Sequence, residues 1–315
     1  MMQVWGEAGR ADSSRNVSNG RVVRGVPLRS SRHDRISLTE ADSVAESLWQ
    51  SDALAWDRYW VPIFSLFAKE LALVSSPSAG DVILDVGTGS GLAARELCKT
   101  APSVGLVVGI DSSEEMIRLA RKRTVSAGLR NVKFLKTLTE ELRFPDSFFD
   151  VVISNCGINV AHFPQCIKEI SRVLRPGGVF VFNDWNLTDV KPHRIFGEIL
   201  GRYSTATPSP QLARERAALV ADFVEANVQL HILLEAGFKK ASLVKRRHRV
   251  RLNSIEDFLR LRLCRSTIRR EMSEMTASNR RMFLRDLRSA LEQFVHDDAF
   301  IFDWPVFYIR AVKPR

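Results

Sequence analysis

The stretch VILDVGTGSG, residues 82–91, decides the fold of this chain. Its first five residues are almost all apolar, which predicts a strand buried on both faces of a parallel sheet. Gly87, Gly89 and Gly91 follow in alternation, and glycines allow a tight turn and a close approach of the backbone to a ligand. We therefore predict a ligand site at the carboxyl end of this strand, where sheets of this kind bind their ligands.

Short apolar runs alternate with helical segments along the next hundred residues. Repeated strand–helix units of this kind predict a parallel, doubly wound α/β sheet. A serine, Ser112 or Ser113, can cap the second helix, and the Pro-Gly-Gly sequence at 176–178 is expected to end the third. The predicted strands are 82–86, 106–110, 132–136, 149–154 and 178–183, and the predicted helices are 90–100, 113–127 and 163–174.

The pattern changes after residue 184. Helical residues are predicted over 211–236, ending at Gly237, and Ser254 with Asp257 resembles a capping box that opens a helical region through about residue 294. Strand signals run over 241–252 and 300–312. Pro305 interrupts the last strand and indicates an edge position or a bulge.

Two acids distinguish between the possible cofactors. Asp111 ends the second strand, where an acid accepts hydrogen bonds from the ribose hydroxyls of a nucleoside. A dinucleotide fingerprint needs a third glycine at position 92, but this chain has Leu92 there. Asp85 has no standard role in a dehydrogenase, whereas it can face the cationic amino-acid end of S-adenosylmethionine. The pattern favours the sulfonium cofactor.

These motifs carry a family resemblance. LDVGTGSG at 84–91, GID at 109–111, FPDSFFDVVISN at 144–155 and RVLRPGGVFVFND at 172–184 resemble the class I S-adenosylmethionine-dependent methyltransferases. They look most like the small-molecule group, methyltransferase type 11, that includes the ubiquinone and menaquinone biosynthesis enzymes. The resemblance implies a seven-stranded, mostly parallel Rossmann-like sheet of order 3-2-1-4-5-7-6, with strand 7 antiparallel, and methyl transfer to a small organic acceptor.

The resemblance also implies which residues hold S-adenosylmethionine. The glycine turn would bind the methionine part of the cofactor, and Asp111 would bind the ribose. The residues that follow Asp111 would contact the adenine side, and Asn155 would line the methyl-transfer end. The family often has an acid for the adenine amino group where this chain has Leu138, which leaves Thr139, Glu140 or the backbone to make that contact. The implied cofactor residues are Asp85, Gly87, Thr88, Gly89, Asp111, Ser112, Met116, Thr139 and Asn155.

The acceptor site has fewer signals. His162 and Asp184 are candidate general bases near the active edge, and His162 could equally be a capping or surface residue. Tyr59 and Trp60 are candidate substrate contacts in a roof over the site, with core packing as the alternative. No metal site is predicted, because none of the four cysteines forms a CxxC pair.

Charge is concentrated near the end of the chain. The formal net charge is +10, and residues 239–288 hold sixteen Lys and Arg against five Asp and Glu, so the rest of the chain is nearly neutral. The cluster KRRHRVR at 245–251 could bind a carboxylate or phosphate on the substrate, although strand alternation would send its side chains to opposite faces. Solvated helix faces are the plainer interpretation.

Two other functions stay open at this point. The basic region could dock RNA or protein, although the Pro-Pro-aromatic and Pro-Cys motifs of nucleic-acid methyltransferases are absent from the sequence. A catalytically silent cofactor-binding or assembly protein is the third alternative. For the domains, we expect a disordered tail at 1–36, a helical cap at 37–78, the cofactor core at 79–185, and the lid, the basic helical insertion and the last strands at 186–315. No membrane span or signal is predicted, and a cytoplasmic protein with reduced thiols is expected.

Overall fold

The computed structural model describes residues 52–158, 162–185, 189–220 and 226–315 of the protein. The predicted tail at 1–36 and the first part of the predicted cap lie outside these residues. The described cap consists of a helical stretch at 52–59 and helix α1, Val61–Ser75, whose buried face includes Phe64, Phe67 and Leu71.

A single sheet forms the centre of the molecule. Its strand order is β3-β2-β1-β4-β5-β8-β6, with the two-residue strand β7 paired to β8. Strands β1 to β5 pair in parallel, while β8 is antiparallel to both β5 and β6. The predicted α/β class and strand order are confirmed, with β8 in the place expected for strand 7. The strands are β1 Val82–Val86, β2 Leu106–Asp111, β3 Val132–Lys136, β4 Phe149–Asn155, β5 Leu174–Asp184, β6 Lys239–Leu252, β7 Val295–His296 and β8 Ala299–Val312.

Three helices connect the parallel strands: α2 Leu92–Thr100, α3 Glu114–Ser126 and α4 Phe163–Val173. Ser113 caps α3, since its hydroxyl accepts a hydrogen bond from the backbone N–H of Met116 at 3.3 Å. Helix α4 ends at Val173, one residue before the predicted end at 174, but the Pro-Gly-Gly sequence is not what ends it. Leu174 is already extended and pairs with Phe149, so the Pro-Gly-Gly sequence lies inside β5, where the register with β4 shifts.

The remaining helices cover the last strands. Two described helices, Pro210–Val220 and Ala226–Glu235, lie in the predicted helical region at 211–236, and the residues between them are outside the described ranges. The basic region after Ser254 holds three helices rather than one. Ser254 caps the first of these three, accepting a hydrogen bond from the backbone N–H of Asp257 at 3.2 Å, as the sequence indicates. The helices are α5 Lys191–Tyr203, α6 Pro210–Val220, α7 Ala226–Glu235, α8 Ile255–Leu263, α9 Ser266–Ser273 and α10 Ala277–Leu291.

Strands β6 and β8 continue past the carboxyl end of β5 as a two-stranded ribbon. The last β5 pair is Asp184 with Phe307, whereas β6 and β8 remain paired to Leu252 and Phe300. Pro305 pairs with Arg247 of β6 and lies beyond the last β5 pair, so among the described strands this part of β8 has β6 alone beside it. The predicted edge position is therefore correct for this part of the strand.

Side chains alternate sharply on the ribbon. Phe300, Phe302 and Trp304 point into the core and are almost completely buried. On β6, the residues paired with positions 301, 303, 305 and 307 of β8 share the opposite face, and all four are basic and exposed. We call them the basic row: Lys245, Arg247, Arg249 and Arg251. Four of the five Lys and Arg residues at 245–251 therefore share one face, so the expectation that at most half of these charges could converge on one ligand is wrong.

Candidate cofactor and acceptor site

The glycine turn after β1 lies against the loop after β4. Gly87 adopts φ +62°, and a Cβ added there would lie 2.1 Å from the carbonyl oxygen of Gly157. A Cβ on Gly157 would in turn lie 2.5 Å from the carbonyl oxygen of Gly87. Ser154 ties the two loops together, because its hydroxyl donates to the Val86 carbonyl at 2.8 Å and accepts from the Gly157 N–H at 3.2 Å. Two glycine backbones in direct contact therefore form the floor of the turn.

Asp85 lies under the turn and is completely buried. Its Oδ2 accepts hydrogen bonds from the Thr88 hydroxyl at 2.6 Å and from the Ala94 backbone N–H at 3.1 Å. Within the described part of the chain its Oδ1 has no hydrogen-bond partner. Burial raises the pKa of this carboxyl group from 3.8 to about 7, which the two hydrogen bonds only partly offset. The site thus holds one buried carboxylate oxygen that a cation would satisfy.

Asp111 organises the outer side of the turn. Its Oδ2 accepts from the Gly89 N–H and its Oδ1 from the Ser113 N–H, both at 2.9 Å. Each carboxylate oxygen can accept more than one hydrogen bond, so ribose hydroxyls could be bound as well. Gly89 has φ +53° and a Cβ there would meet nothing within 4 Å, so the turn opens onto free space beside Asp111.

The predicted adenine side lies at the start of α3. Met116 is buried and packs with Ala53 and Leu119, against which Trp56 also packs. Ser112 is half-buried next to Asp111, and Thr139 lies in the turn after β3, also half-buried. The helical stretch at 52–59 therefore covers this side of the site, as a cap would.

A small pocket opens at the carboxyl ends of β4 and β5. The predicted residue Asn155 does not line the pocket itself, but its Oδ1 accepts a hydrogen bond from the amide of pocket-lining Asn183 at 2.9 Å. The Cys156 thiol donates to the Asn183 Oδ1 at 3.1 Å. The residues that line the pocket are Ser154, Cys156, Ile158, Phe163, Phe182, Asn183, Asp184 and Gln229.

Of the two candidate bases, the structure brings Asp184 to the pocket. One Asp184 carboxylate oxygen accepts the Trp185 backbone N–H at 2.8 Å and the other accepts the Gln229 amide at 3.4 Å. His162 is at the N-terminus of α4, half-buried, and it is the neighbouring Phe163 that lines the pocket. Burial raises the pKa of the Cys156 thiol well above its usual value, so this cysteine is a neutral hydrogen-bond donor in the described structure.

The two candidate substrate contacts in the cap, Trp60 and Tyr59, differ in how deeply they are buried. Trp60 is 1% exposed, and its indole N–H donates to the Leu261 carbonyl at 3.1 Å. Its ring stacks on Trp56, with the centroids 4.9 Å apart. Trp60 is therefore a core residue in this structure, whereas Tyr59 is half-buried and lies under the Arg58 guanidinium.

Sequence reasoning missed Ser154, Gly157, Asn183 and Gln229. Ser154 and Asn183 are the next-to-last residues of β4 and β5, and Gly157 follows β4, so the rule that ligands bind at strand ends could have found all three. Gln229 lies on α7, forty-five residues from Asp184, and no local signal marks it. In the described ranges no cluster of three metal-ligating side chains occurs. No helix in those ranges has both the length and the apolar character to cross a membrane.

Comparison with known proteins places this site in a family. Residues 77–228 match a family described as a methyltransferase domain. The chain is 28% identical over 195 residues to the ubiquinone/menaquinone biosynthesis C-methyltransferase of Hydrogenovibrio crunogenus, covering 57% of the chain and 74% of that protein. It is 40% identical over 110 residues to the protein of the same name in Rickettsia bellii, covering 33% of the chain and 44% of that protein. The second alignment thus spans less than half of the relative.

A solved structure shares the fold at lower identity. Phosphoethanolamine N-methyltransferase 2 of Haemonchus contortus, in complex with phosphomonomethylethanolamine and S-adenosylhomocysteine, is 18% identical with a TM-score of 0.53. The comparison covers 88% of this chain and 61% of that one. The family match over residues 77–228, the strand order and the two strand-end acids together support a class I S-adenosylmethionine-dependent methyltransferase.

Proposed function

We propose that this protein transfers a methyl group from S-adenosylmethionine to a small organic acceptor bound at the β4–β5 pocket. The observation that carries the proposal is the pairing of Asp85 and Asp111 on two sides of one glycine turn. One carboxylate is buried with an unpartnered oxygen, and the other already orders the turn through two backbone N–H groups. A cationic amino-acid end and a ribose are the ligands that suit these two groups.

Each residue has a defined part in the proposal. Asp85 lies beneath the cationic end, with Thr88 holding its other oxygen. Asp111 binds the ribose, and the α3 start with Met116 forms the adenine side. The cofactor supplies an electrophilic methyl group on a sulfonium. The protein then needs to hold the acceptor in line with that methyl, and this alignment supplies much of the rate.

A base is needed only if the acceptor loses a proton. Asp184 is our first candidate, because it lines the pocket and its two oxygens are held by Trp185 and Gln229. His162 is the second candidate, since it is next to pocket-lining Phe163.

The finer properties of the acceptor are also proposals. We propose that it is anionic, in keeping with the exposed basic row at the carboxyl edge of the sheet. The names of the curated relatives favour carbon as the methylated atom. A cytoplasmic location agrees with four cysteines that are all free thiols.

Calorimetry with S-adenosylmethionine tests the donor. Folded protein should bind it, and Asp111→Asn should weaken binding at least about tenfold because charged acceptors make the stronger hydrogen bonds. Asp297→Asn, an exposed acid in the turn before β8, is the matched control and should leave the affinity unchanged. Absence of binding at millimolar cofactor by folded protein would refute the proposal.

A further inference from the structure

Four buried N–H groups cluster beside the proposed acceptor site without an acceptor. They are the Trp185 Nε1, the His193 Nε2, the Arg262 Nε and the Trp304 Nε1, and none has a hydrogen-bond partner within the described ranges. We call these four residues the donor cluster. They come from four different elements: the residue after β5, helix α5, helix α8 and strand β8. Four separate elements of the fold thus each bring one side-chain N–H group to the same buried region.

The rings of the donor cluster are in contact. The Trp304 and His193 ring centroids are 4.7 Å apart, and those of Trp304 and Trp185 are 5.6 Å apart. Trp304 is 0% exposed and His193 is 3% exposed. Phe64 and Trp60 pack against the same group, with Phe64 4.9 Å from Trp185. The surroundings are therefore planar aromatic faces rather than polar side chains.

The hydrogen bond between Arg262 and His193 defines the proton positions. An arginine Nη can only donate, so the His193 Nδ1, 2.9 Å away, must be the acceptor. The His193 Nε2 consequently carries a proton and is a donor. Burial, with Arg262 as a further cause, lowers the pKa of His193 well below 6.5, in agreement with a neutral ring.

Arg262 brings charge to the cluster without a counter-ion. The described ranges hold no carboxylate that pairs with it; its guanidinium instead lies 4.6 Å from the Phe196 ring centroid. Burial lowers the pKa of Arg262 to about 9. It is still a cation at neutral pH, and a buried donor without an acceptor destabilises the folded state. Such a group is stabilised by an anionic oxygen and not by an apolar group or a cation.

We propose that the donor cluster binds an anionic oxygen group, of the carboxylate class, carried by a planar aromatic acceptor. The Trp185 and Trp304 N–H groups, the His193 Nε2–H and the Arg262 Nε–H would supply its hydrogen bonds, and the surrounding rings would contact the flat body of the molecule. This inference rests on the proposed methyl transfer, since it names what that acceptor carries.

The donor cluster and the pocket meet at the end of β5. Asp184 pairs with Phe307 of β8 and lines the pocket. The next residue, Trp185, belongs to the donor cluster, and its ring centroid is 5.6 Å from that of Trp304. The Trp304 and Phe307 side chains project from opposite faces of β8, so an acceptor bound at the donor cluster would reach Asp184 past the end of β5.

Indole N–H signals from ¹⁵N-labelled protein test this directly. Benzoate is the probe and neutral benzamide its isosteric comparison, each added to the full chain with and without S-adenosylhomocysteine. Benzoate should shift the Trp185 and Trp304 signals, assigned with the W185F and W304F variants. Trp60 is an internal control, because its N–H already donates to the Leu261 carbonyl. Benzamide should bind at least about tenfold more weakly.

The variant Arg262→Met separates binding from folding. It should lower benzoate affinity about tenfold or more while leaving the free energy of unfolding unchanged or higher, because an uncompensated buried cation is removed. Arg260→Met, an exposed arginine paired with Asp257 on the same helix, is the matched control. If S-adenosylhomocysteine binds but benzoate leaves the Trp185 and Trp304 signals in place, or binds Arg262→Met equally well, the inference is wrong and the methyltransferase proposal stands. If S-adenosylhomocysteine itself fails to bind, both fail.

Discussion

The glycine turn of the cofactor half and the donor cluster of the lid half leave opposite kinds of polar atom unsatisfied within the described residues. In the cofactor half, residues 82–184, a buried carboxylate oxygen of Asp85 has no donor among the described residues. In the lid half, residues 185–315, the donor cluster has N–H groups and no acceptor in the described ranges. An oxygen that lacks a donor and N–H groups that lack an acceptor suit two ligands of opposite charge, the cationic end of the methyl donor and an anionic acceptor. Substitutions that affect one half and leave the other unchanged test this difference between the halves.

The largest effect is expected from Gly87→Ala. The new Cβ would lie 2.1 Å from a backbone oxygen of Gly157, which cannot move aside as a side chain could. We expect a loss of about 3 kcal/mol or more in unfolding free energy and no measurable cofactor binding. Denaturant melts measure the unfolding free energy, and calorimetry measures cofactor binding.

Gly80→Ala is the control for this change. Gly80 also has a left-handed φ, +80°, but a Cβ there meets nothing within 4 Å, so only the conformational strain of about 1–2 kcal/mol applies. Equal losses for the two variants would show that the contact between Gly87 and Gly157 does not matter.

The second effect is the pH dependence of cofactor binding. The Asp85 pKa is raised to about 7, and a cationic ligand favours the ionised carboxylate. Affinity for S-adenosylmethionine should therefore fall as the pH drops below about 7, by up to about tenfold per pH unit. Calorimetry in buffers of different ionisation enthalpy would measure the released proton. Asp85→Asn should bind more weakly and lose this dependence; a flat profile for the unmodified protein would contradict our assignment of Asp85.

The same shift predicts a change in stability of the ligand-free protein. The folded state keeps a proton on Asp85 that the unfolded chain releases above its ordinary pKa of 3.8. The contribution of Asp85 to the free energy of unfolding thus falls as pH rises from about 4 to about 7. Comparing melts of Asp85→Asn and the unmodified protein across this window isolates the contribution.

A third, smaller effect belongs to the lid half. The pKa of His193 is lowered well below 6.5 in the folded protein. Below about pH 6.5 the unfolded chain therefore protonates this histidine, while the folded protein keeps it neutral. The stability that neutral His193 provides is present above about pH 6.5 and is lost as pH falls below it. His193→Gln keeps an acceptor for Arg262 and does not titrate, so its melts should be less sensitive to acid. Unchanged acid sensitivity would place the titration elsewhere.

The smallest effect on stability is expected from the basic row. Replacing Lys245, Arg247, Arg249 and Arg251 with glutamine should change the unfolding free energy by only about 0.5 kcal/mol per residue at most. Arg249 has a partner, Asp303 at 3.7 Å, and both side chains are exposed. Filter binding of RNA across a salt series checks the nucleic-acid alternative. Tight binding that the glutamine variant loses would favour it, and weak binding at all salts would remove it.

The cofactor half was predictable because its information is local. Asp85 and the glycines lie within seven residues of one another, and Asp111 is identified by the strand that it ends. The lid half depends on contacts between distant residues. His193 meets Arg262 sixty-nine positions away, and Trp60 reaches Leu261 across two hundred and one positions. From the sequence, Trp60 is a candidate substrate contact with core packing as the alternative. Helical spacing cannot decide between the two, because it does not show which distant residues pack against the ring.

The alternation of the β6–β8 ribbon has a consequence for folding. Because side chains alternate with period two, a slip of one residue in the pairing would turn every β6 side chain to the other face. Arg247, Arg249 and Arg251 would then be pressed into the space now lined by Phe302 and Trp304, without counter-ions. The wrong register is thereby far higher in energy than the right one. Strands β6 and β8 are joined through helices α8 to α10 and not by a tight turn, and the alternation of their side chains can in this way set their alignment.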